Sequence, residues 1–223
     1  SSDGESHTMP DRGTRTTRPV YCRLSLTGEQ YVQMNPELQR SGYTFGMKNI
    51  IIKDAVSDDV IGIREVQKQG WLCAYPNEKF GVTKEDIEGK FNLPQSEQDL
   101  YFEERKKTIN DKPDISHTWV AKDNVKIVAF CAADKSKEHR IMAIYVLPDY
   151  QGQGIGKSLM NTALNWLGKT QNIFVNCASY NNQAISFYES FGFRKTDKKI
   201  KEEVSDLPSG RHIPEIEMIL NSS

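Results

Sequence analysis

The chain has few of the features that mark membrane, nucleic-acid-binding and secreted proteins. No apolar run approaches the roughly 20 residues that cross a bilayer, so we expect no membrane span. Lys and Arg number 29 against 30 Asp and Glu, a balance that gives no reason to expect nucleic acid as a partner. The beginning of the sequence shows no recognisable secretory signal.

Cysteine is scarce and never occurs as a CxxC pair. The four cysteines are Cys22, Cys73, Cys131 and Cys177. Such wide spacing does not fit the common zinc motifs, so we expect no metal. Three of the four lie among apolar residues, a setting typical of buried reduced thiols. The pattern therefore predicts a reducing, cytoplasmic compartment.

The N-terminal part of the chain lacks hydrophobic periodicity. Residues 1–19 are rich in Ser, Thr, Gly and Arg, and the first methionine is Met9. We interpret residues 1–45 as a polar, flexible extension, part of which is processed or non-native sequence. The remaining length suits one domain, which we place at 46–221.

Strand and helix patterns follow in a mixed order. Strands are predicted at 49–55, 118–122, 125–130, 140–147, 172–177, 196–201 and 215–220. Helices are predicted at about 60–75, 83–91, 96–110, 154–167 and 183–190. Residues 118–130 form a predicted hairpin with a tight turn at Asp123-Asn124.

A glycine-rich turn joins the strand at 140–147 to the helix at 154–167. Residues 151–158 read Q-G-Q-G-I-G-K-S. Glycines allow positive φ angles and let a ligand approach the backbone closely. The first amides of a helix lack internal partners, and together with the helix dipole they form an anion site. The turn therefore predicts a site for a pyrophosphate.

Two other phosphate motifs do not fit this turn. A P-loop needs four residues between its first glycine and Gly-Lys-Ser, whereas Gly152 and Gly156 enclose only three. The later Gly168-Lys169-Thr170 also fails, because Ala163 stands where a glycine is needed. The dinucleotide fingerprint needs a glycine at Lys157. A turn that only connects strand to helix is the remaining alternative for the motif taken alone.

Two blocks of sequence together resemble the GNAT N-acetyltransferase superfamily. The first is Q-x-x-G-x-G at 151–156, preceded by Y-V-x-P at 145–148, as in the family's pyrophosphate motif. The second is N-x-x-A-I-x-F-Y-x-x-x-G-F at 181–193, which looks like the family's second hallmark. The resemblance is strong over about 117–196 and extends more weakly over 49–220.

The resemblance implies an α/β (α+β) fold. Its core would be a mixed, mostly antiparallel sheet of about seven strands flanked by helices. Two parallel central strands, 140–147 and 172–177, would splay apart and admit the pantetheine arm of coenzyme A. Splaying leaves strand amides unpaired, and an amide-rich pantetheine would supply partners for them.

The resemblance also assigns roles to individual residues. The implied cosubstrate is acetyl-CoA, and the implied reaction is direct transfer of its acetyl group to a primary amine in a ternary complex. The backbone of Ile144 would contact the thioester oxygen as negative charge develops there. Tyr188 would protonate the leaving thiolate as general acid, its alternative role being aromatic packing. The implied cofactor-binding residues are Ile144, Tyr145, Val146, Gln151, Gly152, Gln153, Gly154, Ile155, Gly156, Lys157, Ser158, Asn181 and Tyr188.

The general base is not identified by the resemblance. The histone-directed branch of the family has a glutamate at the position that Arg140 occupies in this chain. Glu138 lies two residues away on the same strand face and is the remaining weak candidate, whereas His139 points to the other face. Glu65 and Glu104 are weaker still, and a water chain is a further route for the proton.

The acceptor is expected to be a small-molecule or protein amine. Its site would be built by residues of about 58–110 and by the last hairpin. Aromatic and acidic side chains there would suit a cation such as a polyamine, a lysine side chain or an amino sugar. They are Trp71, Tyr75, Tyr101, Phe102, Glu65, Glu103 and Glu104. A homodimer stays open. The alternative function is a non-catalytic acyl-CoA-binding sensor or scaffold, against which the presence of Tyr188 argues.

Overall fold

The computed structural model describes residues 50–111, 114–198 and 207–222. The predicted extension at 1–45 lies outside the described residues. The strands are β1 (Ile50–Asp54), β2 (Ser116–Asp123), β3 (Lys126–Asp134), β4 (His139–Val146), β5 (Ile173–Ala178), β6 (Arg194–Lys195) and β7 (Glu215–Leu220). The helices are α1 (Val60–Ala74), α2 (Lys84–Phe91), α3 (Gln95–Asp111), α4 (Ile155–Leu167) and α5 (Asn182–Glu189).

All these strands belong to one mixed sheet. The order across the seven-stranded sheet is β1-β2-β3-β4-β5-β7-β6. Strands β4 and β5 run parallel, and the other pairs are antiparallel. The mostly antiparallel sheet with two central parallel strands is thus confirmed. Within the described residues no helix combines the length and apolar character that a membrane crossing needs.

The turn between β2 and β3 lies one residue later than predicted. Strand β2 continues through Asp123, which pairs with Lys126, so the connecting residues are Asn124 and Val125. Asn124 has a φ of 55°. Asparagine tolerates this left-handed conformation better than most residues, which makes it a favourable residue for a two-residue hairpin turn.

Helices pack on both faces of the sheet. On what we call the α4 face, Leu159, Met160 and Ala163 of α4 pack against Val175 and Met218 of the sheet. On the opposite face, the α1 face, helix α1 packs against β2 and β3. Because alternate strand residues point to opposite faces, each strand contributes side chains to both layers.

Strands β4 and β5 separate after a short paired segment. Their register joins only residues 139–141 of β4 to 173–175 of β5. At this point β4 carries an irregularity on its other side, because Ala132 pairs with Ala143 while Ala133 pairs with Ile141. Met142 is therefore an extra residue, and a bulge of this kind bends a strand locally. We call the space between 142–146 and 176–178 the gap. The predicted splay of the two strands is present.

The predicted strand at 196–201 is wrong in its position. Strand β6 comprises Arg194 and Lys195, which pair with Ile219 and Met218 of β7. The N–H of Thr196 still donates to the Glu217 carbonyl oxygen at 2.9 Å. The side-chain oxygen of Thr196 then accepts the N–H of Lys198 at 3.3 Å, and this local bond competes with extended pairing. Residues 199–201 lie outside the described part of the chain.

Candidate active site

The glycine turn has the backbone geometry that an anion site needs. Gly154 immediately precedes α4 and has a φ of 79°, in the left-handed region that favours glycine. Ser158 is the first residue of this turn whose N–H bonds back to the Gly154 carbonyl, at 3.0 Å. By helix geometry the amides of residues 155–157 then point out of the helix end, toward any bound anion.

At Gly156 the lack of a side chain lets a ligand approach the backbone closely, whereas the backbone conformation there does not itself require glycine. A Cβ built at this position would lie 3.5 Å from Val146 Cγ2 and 3.6 Å from Phe187 Cε2. These are ordinary contact distances, so a small side chain could begin here without collision. Any longer side chain would extend into the space between β4, α4 and α5. The structure therefore brings the glycine turn against the end of β4.

Two backbone amides of β4 point into the gap. The N–H of Leu147 donates to the Val128 carbonyl of β3 at 2.9 Å. Alternate N–H groups of a strand point to opposite edges, so those of Val146 and Ile144 point toward β5. At this height β4 has no register partner in β5. Tyr145 differs from its two neighbours, because by the same alternation its N–H faces β3.

Gln151 connects the turn to both neighbouring elements. Its Nε2 donates to the Val146 carbonyl at 3.1 Å, and its Oε1 accepts Nε2 of Gln183 on α5 at 3.4 Å. Gln153 is bound locally, with Nε2 donating to the Asp149 carbonyl at 3.1 Å. Both glutamines therefore shape the turn through their side chains, which leaves the main chain to face a ligand.

Asn181 has a structural task. Its Oδ1 accepts the N–H of Ala184 at 3.0 Å and caps the N-terminus of α5. This cap fixes the start of the helix that carries Tyr188. The predicted contact of Asn181 with the pantetheine arm stays a prediction for its Nδ2.

Tyr188 lies on α5 with its side chain buried. Burial raises the pKa of its phenol well above the ordinary value, and the nearby Tyr145 adds to the shift. Smaller contributions come from Cys177 and Cys131 on the α4 face and from Glu215 on the α1 face. Tyr188 also belongs to the hydrophobic cluster that includes Ile144 and Val146 of β4 and Cys177 of β5, so its ring lies among side chains that flank the gap. A neutral phenol at physiological pH retains the proton that a general acid needs.

A cluster of aromatic hydroxyls lines the α1 face beside the gap. The hydroxyls of Tyr75 and Tyr145 lie 2.9 Å apart, and the Tyr180 hydroxyl donates to the Tyr75 carbonyl at 2.7 Å. Burial raises the pKa of Tyr145 to about 12 and that of Tyr75 well above its ordinary value. The Trp71 indole N–H is buried next to them and acts on Tyr145, lowering its pKa against the larger effect of burial. The side chains of this aromatic cluster are polar but uncharged.

The pairing of Tyr75 with Tyr145 was missed from the sequence. The two residues are 70 positions apart, and neither belongs to a motif that predicts the other. One signal was present in Gly70, a glycine inside helix α1. A Cβ there would lie 2.4 Å from the Tyr145 ring, so only glycine lets this ring pack against the helix.

Glu138, the weak candidate for the base, is tied to an ion-pair network. Arg140 pairs with Glu138 and donates to Glu217 at 2.9 Å and to Asn176 at 2.8 Å. Burial acts to raise the pKa of Glu217, but hydrogen bonds from Lys198 and Arg140 outweigh it and lower the pKa. Glu138 comes directly before His139, the first residue of β4 that pairs with β5. It therefore lies at the paired end of the two strands, away from the gap. Its role as base stays a prediction.

Removing the guanidinium should destabilise the fold. Arg140→Met should lower the free energy of unfolding by about 2 kcal/mol or more at neutral pH, because Glu217 would stay buried with less compensation. The loss should shrink below the ordinary glutamate pKa of about 4.3, as Glu217 becomes protonated. Urea unfolding at neutral pH and again below about pH 4.3 measures the effect. The exposed Lys107→Met variant serves as control. Equal unfolding midpoints for Arg140→Met and the wild type would contradict it.

The other predicted acceptor residues do not reach the gap together. Tyr101 and Phe102 contact each other on α3, and the Arg64 guanidinium lies 4.1 Å from the Tyr101 ring centroid. Glu65 accepts from Gln69, and Glu103 pairs with Lys106, both in exposed contacts. Of the predicted aromatic residues, Trp71 and Tyr75 are the two that line the gap.

Comparison with known proteins relates this part of the chain to one family. The family model described as an acetyltransferase (GNAT) domain matches residues 114–195. Over these residues the chain is similar to the GNAT acetyltransferases. A peptidyl-lysine N-acetyltransferase, YjaB of Salmonella typhimurium, is 38% identical over 78 residues, which are 34% of this chain and 48% of that protein. The chain thus spans about half the length of this curated GNAT relative.

Solved structures share the GNAT fold. PaiA N-acetyltransferase of Thermoplasma acidophilum, solved with coenzyme A, gives a TM-score of 0.61 at 16% identity, covering 78% of this chain and 99% of that one. The ribosomal-protein-S18-alanine N-acetyltransferase of Escherichia coli gives 0.52 at 20% identity, covering 78% and 94%. At these identities the likeness concerns the fold alone.

Proposed function

We propose that the chain is an acyltransferase that moves the acetyl group of acetyl-CoA to a primary amine by direct transfer in a ternary complex. The observation that carries the proposal is the gap. It brings together inward-pointing β4 amides, a glycine turn at a helix end and the buried phenol of Tyr188. YjaB, the curated relative, is named for acetylating peptidyl-lysine, which supports the same reaction class.

The residues present fit an acetyl-CoA molecule. The outward amides of residues 155–157 would hold the pyrophosphate, and space beyond Gly156 would admit it. The Ile144 N–H would donate to the thioester oxygen, and that of Val146 to the pantetheine. Within the described residues no three His, Cys, Asp or Glu side chains cluster as a metal site would require.

Direct transfer also assigns tasks to the reacting groups. A neutral amine attacks the thioester carbon, and the Ile144 amide stabilises the oxygen as it becomes negative. As the carbon–sulfur bond breaks, the Tyr188 hydroxyl passes its proton to the leaving thiolate. The attacking nitrogen loses its surplus proton, and this proton restores the Tyr188 phenol through solvent. No acetyl group is carried by the protein at any stage.

Mass spectrometry tests the proposal. Incubation with acetyl-CoA and a primary amine should yield the acetylated amine and free coenzyme A. The protein incubated with acetyl-CoA alone should gain no acetyl mass on any residue of the site. A stoichiometric acetyl-protein that forms first and then reacts with amine would contradict direct transfer. Failure of every amine to react would leave the sensor or scaffold alternative.

We also propose that the protein functions in a reducing compartment such as the cytoplasm. The buried Cys131 and Cys177 are not disulfide-bonded. Burial raises the pKa of Cys177 to about 11 and that of Cys131 further, so both thiols should react slowly with alkylating reagents.

The thiol state can be read directly. In native protein at pH 8, iodoacetamide should modify Cys131 and Cys177 much more slowly than in denatured protein, because the two buried thiols form little thiolate. Peptide mass spectrometry after timed quenching measures the two rates, and denatured protein serves as the fully reactive control. Rapid labelling of Cys131, or a disulfide within the native chain, would contradict this prediction.

A further inference from the structure

We infer that Glu215 binds the ammonium group of the acceptor amine and accepts its proton, an inference that rests on the proposed function. Glu215 is the first residue of β7 and pairs with Ala178, the last residue of β5. Residues 176–178 have no register partner in β4, so this pair stands at the open part of the gap. Its place in the sheet therefore puts the carboxylate beside the site of transfer.

A hydrogen-bond chain fixes the direction of the Glu215 side chain. Nδ2 of Asn176 donates to Oε2 of Glu215 at 3.2 Å, while Oδ1 of Asn176 accepts Nη1 of Arg140 at 2.8 Å. Because the guanidinium can only donate, the oxygen of Asn176 must face it and the NH₂ must face Glu215. The carboxylate is thereby held on the α1 face, where Tyr75 and Tyr145 lie.

The described side chains around Glu215 suit a cationic ligand. Phenols that stay neutral at physiological pH line the approach, and each feels the Glu215 charge as a contribution that raises its pKa. Among the described residues, the titratable groups that the Glu215 charge acts on include Tyr75 from α1, Tyr145 from β4, Cys177 from β5 and Tyr188 from α5, and Arg140 is linked to Glu215 through Asn176.

A primary alkylammonium is the ligand class that this arrangement fits. The carboxylate accepts a charge-assisted hydrogen bond from the ammonium, and the neighbouring aromatic rings contact the alkyl stem. One N–H bond then breaks, its proton goes to Glu215, and the nitrogen lone pair forms the C–N bond. The C–S electrons leave with sulfur, which takes the Tyr188 proton. The nitrogen of the new amide loses its second surplus proton, which restores the Tyr188 phenol through solvent, and solvent also removes the proton from Glu215. Of the two protons that the ammonium loses, one is thereby balanced by the new thiol and the other is released to solution.

The test uses the whole chain with Nα-acetyl-lysine amide and with spermidine as probes. Glu215→Gln should lower kcat/KM for the amine by about 10²-fold or more, because the proton acceptor is lost. It should also weaken amine binding to the complex with coenzyme A, measured by calorimetry, while leaving acetyl-CoA affinity unchanged. Glu88→Gln, an exposed change on α2, is the matched control and should behave as wild type. Glu215→Asp keeps the carboxylate and should recover part of the loss.

The outcomes separate this inference from the proposed function. Turnover and amine binding in Glu215→Gln equal to wild type would overturn the role of Glu215 and leave acetyl transfer standing. Amine binding that depends on Glu215, without acetyl transfer, would overturn the proposed function and keep the amine site. If the wild type binds neither probe, both fail. If Glu215→Gln does not fold, the Glu215→Asp variant is the deciding test. Wild-type kinetics and unchanged amine affinity in Glu215→Asp would contradict a precisely placed base.

Discussion

Replacing Tyr188 with phenylalanine should lower kcat by about 10²-fold while acetyl-CoA affinity stays nearly unchanged. The loss falls at the low end for a general acid because the coenzyme thiol is already a fair leaving group. Phenylalanine keeps the ring that packs against Phe187 and Phe193, so only the hydroxyl is tested. Steady-state kinetics at saturating cofactor, with a confirmed acceptor, measures the effect.

The shifted pKa makes a second readout available. Because the pKa of Tyr188 lies well above its ordinary value, its deprotonation should not reduce the rate anywhere below about pH 10. Tyr101→Phe, a tyrosine packed on Arg64 far from the gap, is the control and should keep wild-type kinetics. Wild-type kcat in a folded Tyr188→Phe protein would remove Tyr188 from the mechanism and leave it a packing residue.

Gly156→Asp should abolish acetyl-CoA binding while the fold persists. The new Cβ would meet Val146 and Phe187 only at ordinary contact distances, so the backbone has no need to move. The carboxylate, however, would extend into the space where the pyrophosphate is expected and would repel it. Gly154→Asp is a less selective variant, because it also places a side chain at a φ of 79°.

Calorimetry with acetyl-CoA measures the loss, and circular dichroism confirms the fold. Asn161→Asp adds the same charge at an exposed position further along α4 and should bind acetyl-CoA with nearly wild-type affinity. Unchanged affinity in folded Gly156→Asp would show that the turn does not hold the cofactor. ATP should not compete at this turn, because the spacing of its glycines is not that of a P-loop.

The sequence was sufficient for the parts of the fold that local patterns encode. The apolar spacing of α4, the glycines before it and the strand-forming runs on either side of the β2–β3 turn each predict an element without knowledge of the rest. The splay between β4 and β5 was also predicted, although through the resemblance rather than from the strands themselves. The bulge at Met142, which lies where the two strands separate, carries no sequence signal, because a bulge depends on how the partner strand pairs.

The acceptor side was beyond the reach of the sequence for the same reason. Glu215 approaches the gap only because β7 inserts between β5 and β6, an order that linear spacing does not reveal. Glu138 was a candidate for the general base because it lies near the Arg140 position in sequence, and in the structure it forms an ion pair with Arg140. Tyr101 and Phe102 are aromatic residues like Trp71 and Tyr75 and were therefore expected at the same cation site. In the structure they contact each other, and Tyr101 packs against Arg64.

The most direct test of the central claim is the rate at which acetyl-CoA releases free thiol as primary amines are added. We expect release that rises with amine concentration, saturates, and matches the acetylated amine mole for mole. Background release without amine should be slow, because water is a poorer nucleophile than a neutral amine. Tight acetyl-CoA binding with no amine-dependent release, across polyamines, lysine derivatives and amino sugars, would contradict the account and identify the chain as an acyl-CoA-binding module without transferase activity.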